Sequence, residues 1–337
     1  MLPDAFGRPL RNLRLSVTDR CNLRCSYCMP EQDYVWLPRE DLLHFEEIDR
    51  LVDVFVSLGV TKVRLTGGEP LLRRDLTTLI ASLAAKPALD DLALTTNGVL
   101  LEGLAPALRA AGLHRLTVSL DTLHHDRFRD LTRADDLDRV LAGIHAAAPL
   151  FPGLKIDTVI MRGVNDDELV PMLTFGQTLG AEVRFIEYMD VGGATHWSMS
   201  RVVSRQEMLT RIAAQLGPVT AVDEASSAPA DRYRLGDGTI FGIISSTTEP
   251  FCNACDRSRL TADGLWYLCL YAMRGTDLRG PLRQGASVDD LRGLISAHWT
   301  ARRDRGAETR LDLRERAIIP VASLKRDPHL EMHTRGG

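Results

Sequence analysis

The chain lacks the features that mark several large classes of protein. It has no surplus of positive charge, since 41 Lys and Arg face 45 Asp and Glu, giving a net charge of −4. Capture of nucleic acid by bulk electrostatics requires a basic surplus, so we expect no nucleic-acid partner. No apolar run approaches the length of a membrane span, so we expect no membrane association. Residues 1–21 lack the apolar segment of a secretory signal, which predicts a cytoplasmic location.

Cysteine is scarce as well, and its placement is the most informative feature of the chain. All six cysteines fall into two groups with the spacings C-x3-C-x2-C and C-x2-C-x13-C. None is left over for a disulfide, which excludes a disulfide-rich secreted scaffold and indicates a reducing compartment. The first cysteine group is Cys21, Cys25 and Cys28, and the second cysteine group is Cys252, Cys255 and Cys269.

Three thiolates on one short loop favour a metal cluster over a single zinc ion. They can hold three corners of a [4Fe–4S] cube and leave the fourth iron open to a small ligand. A structural zinc site usually has four ligands, often from paired C-x2-C motifs. For the second cysteine group, a zinc ribbon with His298 as its fourth ligand is an alternative. The helical pattern around His298 instead favours a place on the polar face of a helix.

Six short β-rich segments alternate with amphipathic helical patterns along the first two-thirds of the chain. Such alternation predicts a parallel sheet with right-handed crossovers. Six units, rather than eight, predict an α/β fold that is a partial (βα)6 TIM-type barrel, with its site at the C-terminal ends of the strands. The predicted strands are residues 13–17, 62–66, 91–96, 115–120, 154–160 and 182–188.

The pattern changes after about residue 200, which predicts two regions. Residues 1–200 form the barrel, and residues 201–337 form a C-terminal extension that carries the second cysteine group. The predicted elements of this extension are a helix over 204–217, a polar linker at 224–233, hairpin turns at Gly236–Gly238 and Asp263–Gly264, and a helix starting at Val288.

A glycine-rich turn follows the second predicted strand. Gly67 and Gly68 let the backbone approach a ligand closely, and Pro70 fixes the turn. In the same chain as the first cysteine group, this GGEP segment resembles the radical S-adenosylmethionine (SAM) superfamily, where the open iron binds the amino and carboxylate groups of SAM. Ser119 ends the fourth predicted strand and can bond a ribose or carboxylate, or simply cap the backbone.

Basic side chains recur on separate predicted strands near the barrel mouth. A single buried charge is costly unless it is paired. Each of these residues, taken alone, is explained as one partner of a salt bridge. Several together indicate a polyanion site such as a triphosphate, because guanidinium groups bind phosphate in bidentate fashion. Arg257 and Arg259 lie on one side of an extended segment. The other members are Arg14, Arg64, Lys155 and Arg184.

The order of the motifs resembles one family within that superfamily. The first cysteine group and GGEP are followed by TTNG, VIMRGVND, RFIEYMDVG, C-x2-C-x-R-x-R-L-T-x-D-G and a terminal Gly-Gly. Together they resemble the MoaA family, the GTP 3′,8-cyclases of molybdenum-cofactor biosynthesis, from about Gly7 to the end of the chain. Two positions depart from the family pattern. Arg335 replaces an apolar residue before the glycines, and Asp157 stands where Asn is commoner.

The resemblance implies two [4Fe–4S] clusters, SAM as a cofactor and GTP as the substrate. Each cysteine group would bind one cluster, and the open iron of the second would face guanine. The implied SAM contacts are Tyr27, Gly68, Glu69, Ser119 and Met189. The implied GTP contacts are Arg14, Arg64, Thr95, Lys155, Arg184, Arg257, Ser258 and Arg259. Catalytic roles are implied for Arg257, Arg259, Gly336 and Gly337.

The implied reaction is a radical cyclisation by a lyase. A 5′-deoxyadenosyl radical removes hydrogen from C3′ of GTP, and C3′ then bonds to C8 of guanine. The product, (8S)-3′,8-cyclo-7,8-dihydro-GTP, begins molybdopterin synthesis. The implied partners are an electron donor, the synthase that makes cyclic pyranopterin monophosphate, and a second copy of the chain, since the family is commonly homodimeric.

Two other functions compete with the cyclase. A peptide-modifying radical SAM enzyme shares the first loop, but such enzymes usually carry more than three C-terminal cysteines. A zinc-binding module without enzymatic activity is the other alternative.

Overall fold

The computed structural model describes residues 2–223, 227–313 and 315–336. In its first part, strands and helices alternate as the hydrophobic patterns predict. The strands are β1 Asn12–Ser16, β2 Lys62–Thr66, β3 Asp91–Thr96, β4 Arg115–Ser119, β5 Lys155–Ile160 and β6 Glu182–Glu187. The helices are α1 Phe45–Ser57, α2 Leu76–Ala84, α3 Leu101–Ala110, α4 His125–Thr132, α5 Leu137–Ala147, α6 Leu169–Thr178 and α7 Arg205–Leu216.

The later part of the chain is richer in short strands. Its strands are β7 Val219–Ala221, β8 Asp231–Leu235, β9 Ile240–Ile244, β10 Arg257–Leu260, β11 Leu265–Tyr267 and β12 Thr276–Asp277. Its helices are α8 Arg279–Arg283, α9 Val288–Thr300, α10 Gly306–Thr309 and α11 Val321–Arg326. Short 3-10 helices cover Arg39–Asp41, Pro70–Leu72, Met199–Arg201, Cys252–Ala254 and Pro328–Leu330. Among the described residues, no helix is both long enough and apolar enough to cross a bilayer.

The described strands form one sheet in the order β12-β11-β10-β1-β2-β3-β4-β5-β6-β9-β8-β7. Strands β1 to β6 pair in sequence and in parallel, which confirms the six predicted strands of the partial barrel. β10 joins β1 and β9 joins β6, both in parallel. Sequence reasoning anticipated these two segments only as hairpin strands, because hairpin signals are local whereas parallel pairing joins distant segments.

The sheet continues across residue 200, so β9 and β10 share it with the predicted barrel region. The division at residue 200 stays a prediction. Part of the predicted linker, residues 224–226, lies outside the described residues.

The pairing of β1 with β10 positions the site. Arg14 is paired with both Arg64 and Arg259, so the three side chains project from the same face of the sheet. The first cysteine group follows the C-terminal end of β1, whereas Cys252 and Cys255 precede the N-terminal end of β10. Because the two strands are parallel, the two cysteine groups lie at opposite ends of the barrel.

An aromatic cluster connects the barrel helices to the C-terminal region. Phe55 of α1, Trp266 of β11 and Trp299 of α9 are each at most 1% exposed. Their ring centroids are 5.6 Å apart for Phe55 and Trp266, and 6.3 Å apart for the two tryptophans. This contact joins elements more than 200 residues apart in the sequence (266 − 55 = 211).

Replacing Phe55 with alanine should lower the free energy of unfolding by about 3–5 kcal/mol, because a fully buried aromatic side chain leaves a cavity. Leu216→Ala, at a position that is 39% exposed, is the matched control and should change stability by about 0.5 kcal/mol or less. Denaturant titration measures both values, and equal effects of the two substitutions would contradict the packing described here.

Candidate active site

A cavity of about 530 Å³ lies inside the barrel, and all six cysteines line it. The predicted ligand contacts that line it are Arg14, Tyr27, Arg64, Gly68, Thr95, Ser119, Arg184, Met189, Arg257 and Arg259. Of the described residues predicted to contact ligand or act in catalysis, four do not line it, namely Glu69, Lys155, Ser258 and Gly336. Gly337 lies outside the described residues.

The first cysteine group occupies a loop fixed by backbone hydrogen bonds. The amides of Arg24 and Ser26 donate to carbonyls at the end of α4, each at 2.8 Å, and the Cys28 amide donates to the Cys25 carbonyl at 2.9 Å. Burial raises the pKa of Cys21 to about 11, and it raises the pKa of Cys25 and Cys28 as well. Buried thiols of this kind become thiolates only with a strong cation, so the donor set fits an iron–sulfur cluster.

The two glycines of GGEP serve the packing of the chain itself. A Cβ on Gly67 would lie 2.3 Å from the Thr18 carbonyl oxygen, and one on Gly68 would lie 2.3 Å from that of Arg20. The Gly68 amide donates to the Thr18 carbonyl at 3.0 Å. The sequence suggested that these glycines admit a ligand, and the structure shows that they first admit the segment leading into the first cysteine group.

The Glu69 carboxylate is buried and saturated by internal donors. It accepts from the Leu71 amide at 3.0 Å, and from the Thr96 hydroxyl and the Asn97 amide at 2.7 Å each. Burial raises the pKa of Glu69 to about 7. The side chain therefore fixes the TTNG turn after β3, which explains why it does not line the cavity.

Cations from neighbouring strands come together at the cavity and are called the cationic layer here; Arg14, Arg64 and Arg259 line the cavity, and Lys155 lies on β5 outside the lining. Burial, with repulsion from Arg259 and Arg64, holds the pKa of Arg14 well below its ordinary value. Burial is also the main cause that lowers the pKa of Arg64 and Arg259 to about 10 and of Lys155 to about 8. Such depressed values show that these side chains lack enough negative charge around them, and a bound polyanion would supply it.

One buried carboxylate stands among these cations. Burial raises the pKa of Asp157, whereas Arg184, Arg64, Arg14 and Lys155 oppose that shift. Its Oδ1 atom has no hydrogen-bond partner among the described residues. This departure from the family pattern therefore faces the cationic layer directly.

The cationic side chains are partly held in place by neutral acceptors. Arg64 donates to the hydroxyls of Thr95 and Thr117 at 2.9 and 3.0 Å. Arg257 donates to the Ser227 carbonyl at 3.0 Å and packs over the ring of Phe251. Neutral acceptors orient these guanidinium groups without neutralising them, so their charge remains available.

Within the second cysteine group, Cys255 lies in a positively charged environment. Burial raises the pKa of Cys255, but Arg257 and Arg302 outweigh it and bring the value to about 7. Arg302 donates to the sulfur of Cys255 at 3.4 Å. Sequence reasoning missed Arg302, because no motif links it to the cysteines. A spacing signal would not find it, since it lies 47 residues beyond Cys255.

The zinc alternative gains no support from the geometry. His298 is exposed on α9 and lies 3.5 Å from the Thr276 hydroxyl, away from the cavity, as its helical pattern predicts. Within residues 2–223, 227–313 and 315–336, no group of three or more His, Cys, Asp or Glu side chains is arranged to hold a metal ion. A cluster spreads its thiolates farther apart than a single ion does.

The C-terminal tail enters the barrel, where the Gly336 carbonyl contacts two of the cations. Arg259 donates to the Gly336 carbonyl at 2.6 Å, and Arg14 lies 3.5 Å from the same oxygen. Arg335 is buried, donates to the Leu270 carbonyl at 2.8 Å and packs over Tyr267. The departure at Arg335 therefore anchors the tail.

The tail also brings His333 to the cavity wall, which sequence reasoning did not foresee. The imidazole is 3% exposed, and its ring centroid lies 5.5 Å from that of Tyr34 and 5.9 Å from that of Trp36. Only the docking of the tail reveals this position, because nothing in the local sequence around His333 indicates a site.

The comparisons with known proteins match two successive parts of the chain. Residues 15–176 match the Radical SAM superfamily, and residues 181–308 match Molybdenum Cofactor Synthesis C. GTP 3′,8-cyclase 1 of Mycobacterium tuberculosis is 56% identical over 340 residues, covering 99% of this chain and 95% of that protein. GTP 3′,8-cyclase of Acidothermus cellulolyticus is 49% identical over 320 residues, covering 91% and 88%. The chain belongs to the GTP 3′,8-cyclase family.

Solved structures agree with this family in fold. The crystal structure of Streptococcus suis SuiB has a TM-score of 0.59 at 16% identity, covering 86% of this chain and 68% of that chain. The structure of SuiB bound to S-adenosylmethionine has a TM-score of 0.56 at 15% identity, again over 86% and 68%. Membership of the radical SAM superfamily implies a [4Fe–4S] cluster and SAM, and the first cysteine group of this cyclase-family member offers the fitting donors.

Gly336→Ala should release the tail of this cyclase-family member. Gly336 has φ +67°, and an added Cβ would lie 2.3 Å from Thr66 Cγ2. Hydrogen exchange of the Met332 amide, which donates to the Gly192 carbonyl at 2.9 Å, should become faster. Gly285→Ala is the control, because Gly285 has φ +86° but open space around it. Unchanged exchange in Gly336→Ala would contradict the docked tail.

Docking of the tail should weaken with rising pH. His329 lies 2.8 Å from Asp263 and 3.0 Å from Asp327. Burial lowers its pKa, but the two carboxylates outweigh burial and raise it above 6.5 overall. A raised folded pKa means that this stabilisation is complete below about pH 6.5 and is lost as the pH rises through the folded value. The stability difference between the wild type and His329→Gln should therefore shrink from about pH 6 to 9.

At acid pH, the stability that Asp263 contributes changes with pH in the opposite direction. The pKa of Asp263 is lowered, since burial, which raises it, is outweighed by His329. Its contribution is present above about pH 3.9 and is lost as the pH falls through the folded value. Exposed His298→Gln serves as the control, and a pH-independent difference for His329→Gln would refute the ion pairs of His329 with Asp263 and Asp327.

Proposed function

We propose that this chain converts GTP to (8S)-3′,8-cyclo-7,8-dihydro-GTP, the first step of molybdopterin synthesis, and that each cysteine group holds one [4Fe–4S] cluster. The observation that carries the proposal is the layer of mutually repelling cations, buried or half-buried, between two groups of free thiols. A nucleoside triphosphate fits that layer because its negative charge would stabilise the cations whose pKa values are depressed. Its base can reach the second cysteine group.

The end of the barrel at the first cysteine group is the proposed SAM site. When bound there, the reduced cluster and SAM supply a radical that abstracts hydrogen. Tyr27, Gly68, Ser119 and Met189 line the cavity at the C-terminal ends of strands, beside the same loop. Tyr27 is fixed by donating to Asp121 at 2.7 Å. Glu69 contributes through the turn that it holds and not by direct contact.

The cationic layer is the proposed triphosphate site. Arg14, Arg64, Arg184, Arg257 and Arg259 line it and can donate charge-assisted hydrogen bonds to phosphate oxygens. Thr95 is proposed as the acceptor that orients Arg64. Lys155 is proposed to act through its charge on β5, and Ser258, which alternation on β10 turns away from Arg257 and Arg259, is proposed as a contact although it does not line the cavity.

The second cysteine group is proposed to hold the far end of the substrate, and the tail is proposed to hold the cationic layer, since Gly336 lies against Ser16 and Thr66 at the C-terminal ends of β1 and β2. The Gly336 carbonyl accepts from Arg259 and so orients that guanidinium group toward the cavity. A catalytic role is also proposed for Gly337, which lies outside the described residues. Guanine is proposed to face the open iron of the second cluster, and the enclosed barrel would keep water from the reacting atoms.

The proposed setting of the enzyme is the cytoplasm, where six free thiols remain reduced. The proposed partners are an electron donor, a second copy of the chain, and the synthase that takes the cyclised nucleotide on to cyclic pyranopterin monophosphate.

The proposed activity predicts that SAM cleavage depends on GTP. Anaerobic protein with reconstituted clusters, SAM and reductant should form 5′-deoxyadenosine together with a dihydro nucleotide of the same mass as GTP, measured by mass spectrometry. Equal 5′-deoxyadenosine formation with and without GTP would refute the substrate. Turnover with a peptide instead of GTP would favour the peptide-modifying alternative.

Arg257→Ala and Arg259→Ala should each weaken GTP binding by about 1–3 kcal/mol, as expected for a lost charge-assisted hydrogen bond. Arg283→Ala is the control, because Arg283 pairs with Glu47 outside the cavity. Calorimetric titration of GTP measures the three affinities. Wild-type affinity in both cavity variants would contradict the triphosphate site.

A further inference from the structure

Arg302 lies behind the second cysteine group and contacts one of its sulfurs. Its Nη2 donates to Cys255 Sγ at 3.4 Å, and its Nη1 donates to the Cys255 carbonyl at 2.9 Å. The side chain is 1% exposed. By contrast, Cys21 Sγ in the first cysteine group accepts from a neutral donor, the side-chain amide of Asn97, at 3.9 Å.

The surroundings of Arg302 hold it in place and leave a net positive charge. Its guanidinium packs over Trp299 at 4.5 Å, and its Nη1 lies 3.5 Å from Asp4. Asp4 also pairs with Arg8 at 2.6 Å, and Arg8 donates to the Cys252 carbonyl at 2.9 Å. Two buried guanidinium groups thus share one buried carboxylate directly behind the loop that carries Cys252 and Cys255.

We propose that Arg302 raises the reduction potential of the cluster held by the second cysteine group, and that it orients the Cys255 sulfur toward that cluster. The inference rests on the proposed function, which assigns a cluster to this group. Reduction adds an electron and so makes the cluster more negative. A hydrogen bond to a ligand sulfur and a fixed buried cation both stabilise the more negative state.

Arg302→Gln tests this role by removing the charge at similar length. Anaerobic full-length protein with both clusters would be titrated with redox mediators and followed by electron paramagnetic resonance. The equilibrium constant for reducing the second cluster should fall about tenfold, which corresponds to about 59 mV for a one-electron couple. The first cluster should keep its potential. Protein with alanine at Cys21, Cys25 and Cys28 can hold only the second cluster, so its spectrum identifies the signal of that cluster.

The matched control is Arg305→Gln. Arg305 donates to the Asn253 side chain in the same loop, at 2.6 Å, but its side chain is 41% exposed and contacts no cysteine sulfur in the described structure. Solvent screens such a charge, so the potential of the second cluster should move by less than about threefold in equilibrium constant. An equal shift in Arg305→Gln and Arg302→Gln would overturn the specific role of Arg302.

A second variant keeps the test decisive if Arg302→Gln fails to retain its second cluster. Asp4→Asn removes the shared negative charge and leaves both guanidinium groups, so the potential of the second cluster should rise. Two clusters with wild-type potentials in the variants would overturn this inference alone. A wild-type protein with one cluster would overturn the two-cluster proposal and this inference together.

Discussion

The parallel pairing of β10 with β1 is the contact on which the site depends. It places Arg259 beside Arg14 and Arg257 beside Asn12, and so brings the C-terminal region against the first strand of the barrel. Because the first cysteine group follows β1 and Cys252 and Cys255 precede β10, this one register puts the two groups at opposite ends of a shared cavity. A five-residue strand separates the ends by roughly 16 Å.

The charges inside the barrel follow from that geometry. Strands that meet side by side bring their inward residues together, so buried Arg259 and half-buried Arg14 and Arg64 lie within one layer although each comes from a different strand. Repulsion and burial make the layer costly for the protein alone, which is expected where binding of a polyanion is the function. The tail carbonyls and Asp157 relieve only part of that cost.

Local patterns in the sequence predicted much of this arrangement. The six parallel strands followed from hydrophobic runs, and the cysteines and inward arginines followed from spacing and alternation. The parallel pairings of β9 with β6 and of β10 with β1 were not predicted, since nothing near Ile240 or Arg257 indicates a distant partner strand. The same limit explains why Arg302 and His333 were missed, because tertiary contacts alone bring Arg302 behind the second cysteine group and His333 to the cavity wall. Glu69 is the opposite case. The motif predicted a ligand contact, but its carboxylate accepts a hydrogen bond from the backbone of the neighbouring turn.

The most direct test of this account is anomalous diffraction at the iron absorption edge from anaerobically grown crystals. We expect two iron sites, one at Cys21, Cys25 and Cys28 and one at Cys252, Cys255 and Cys269, at opposite ends of the barrel with the cationic layer between them. Iron at only one cysteine group, or zinc in place of iron at the second, would contradict the account.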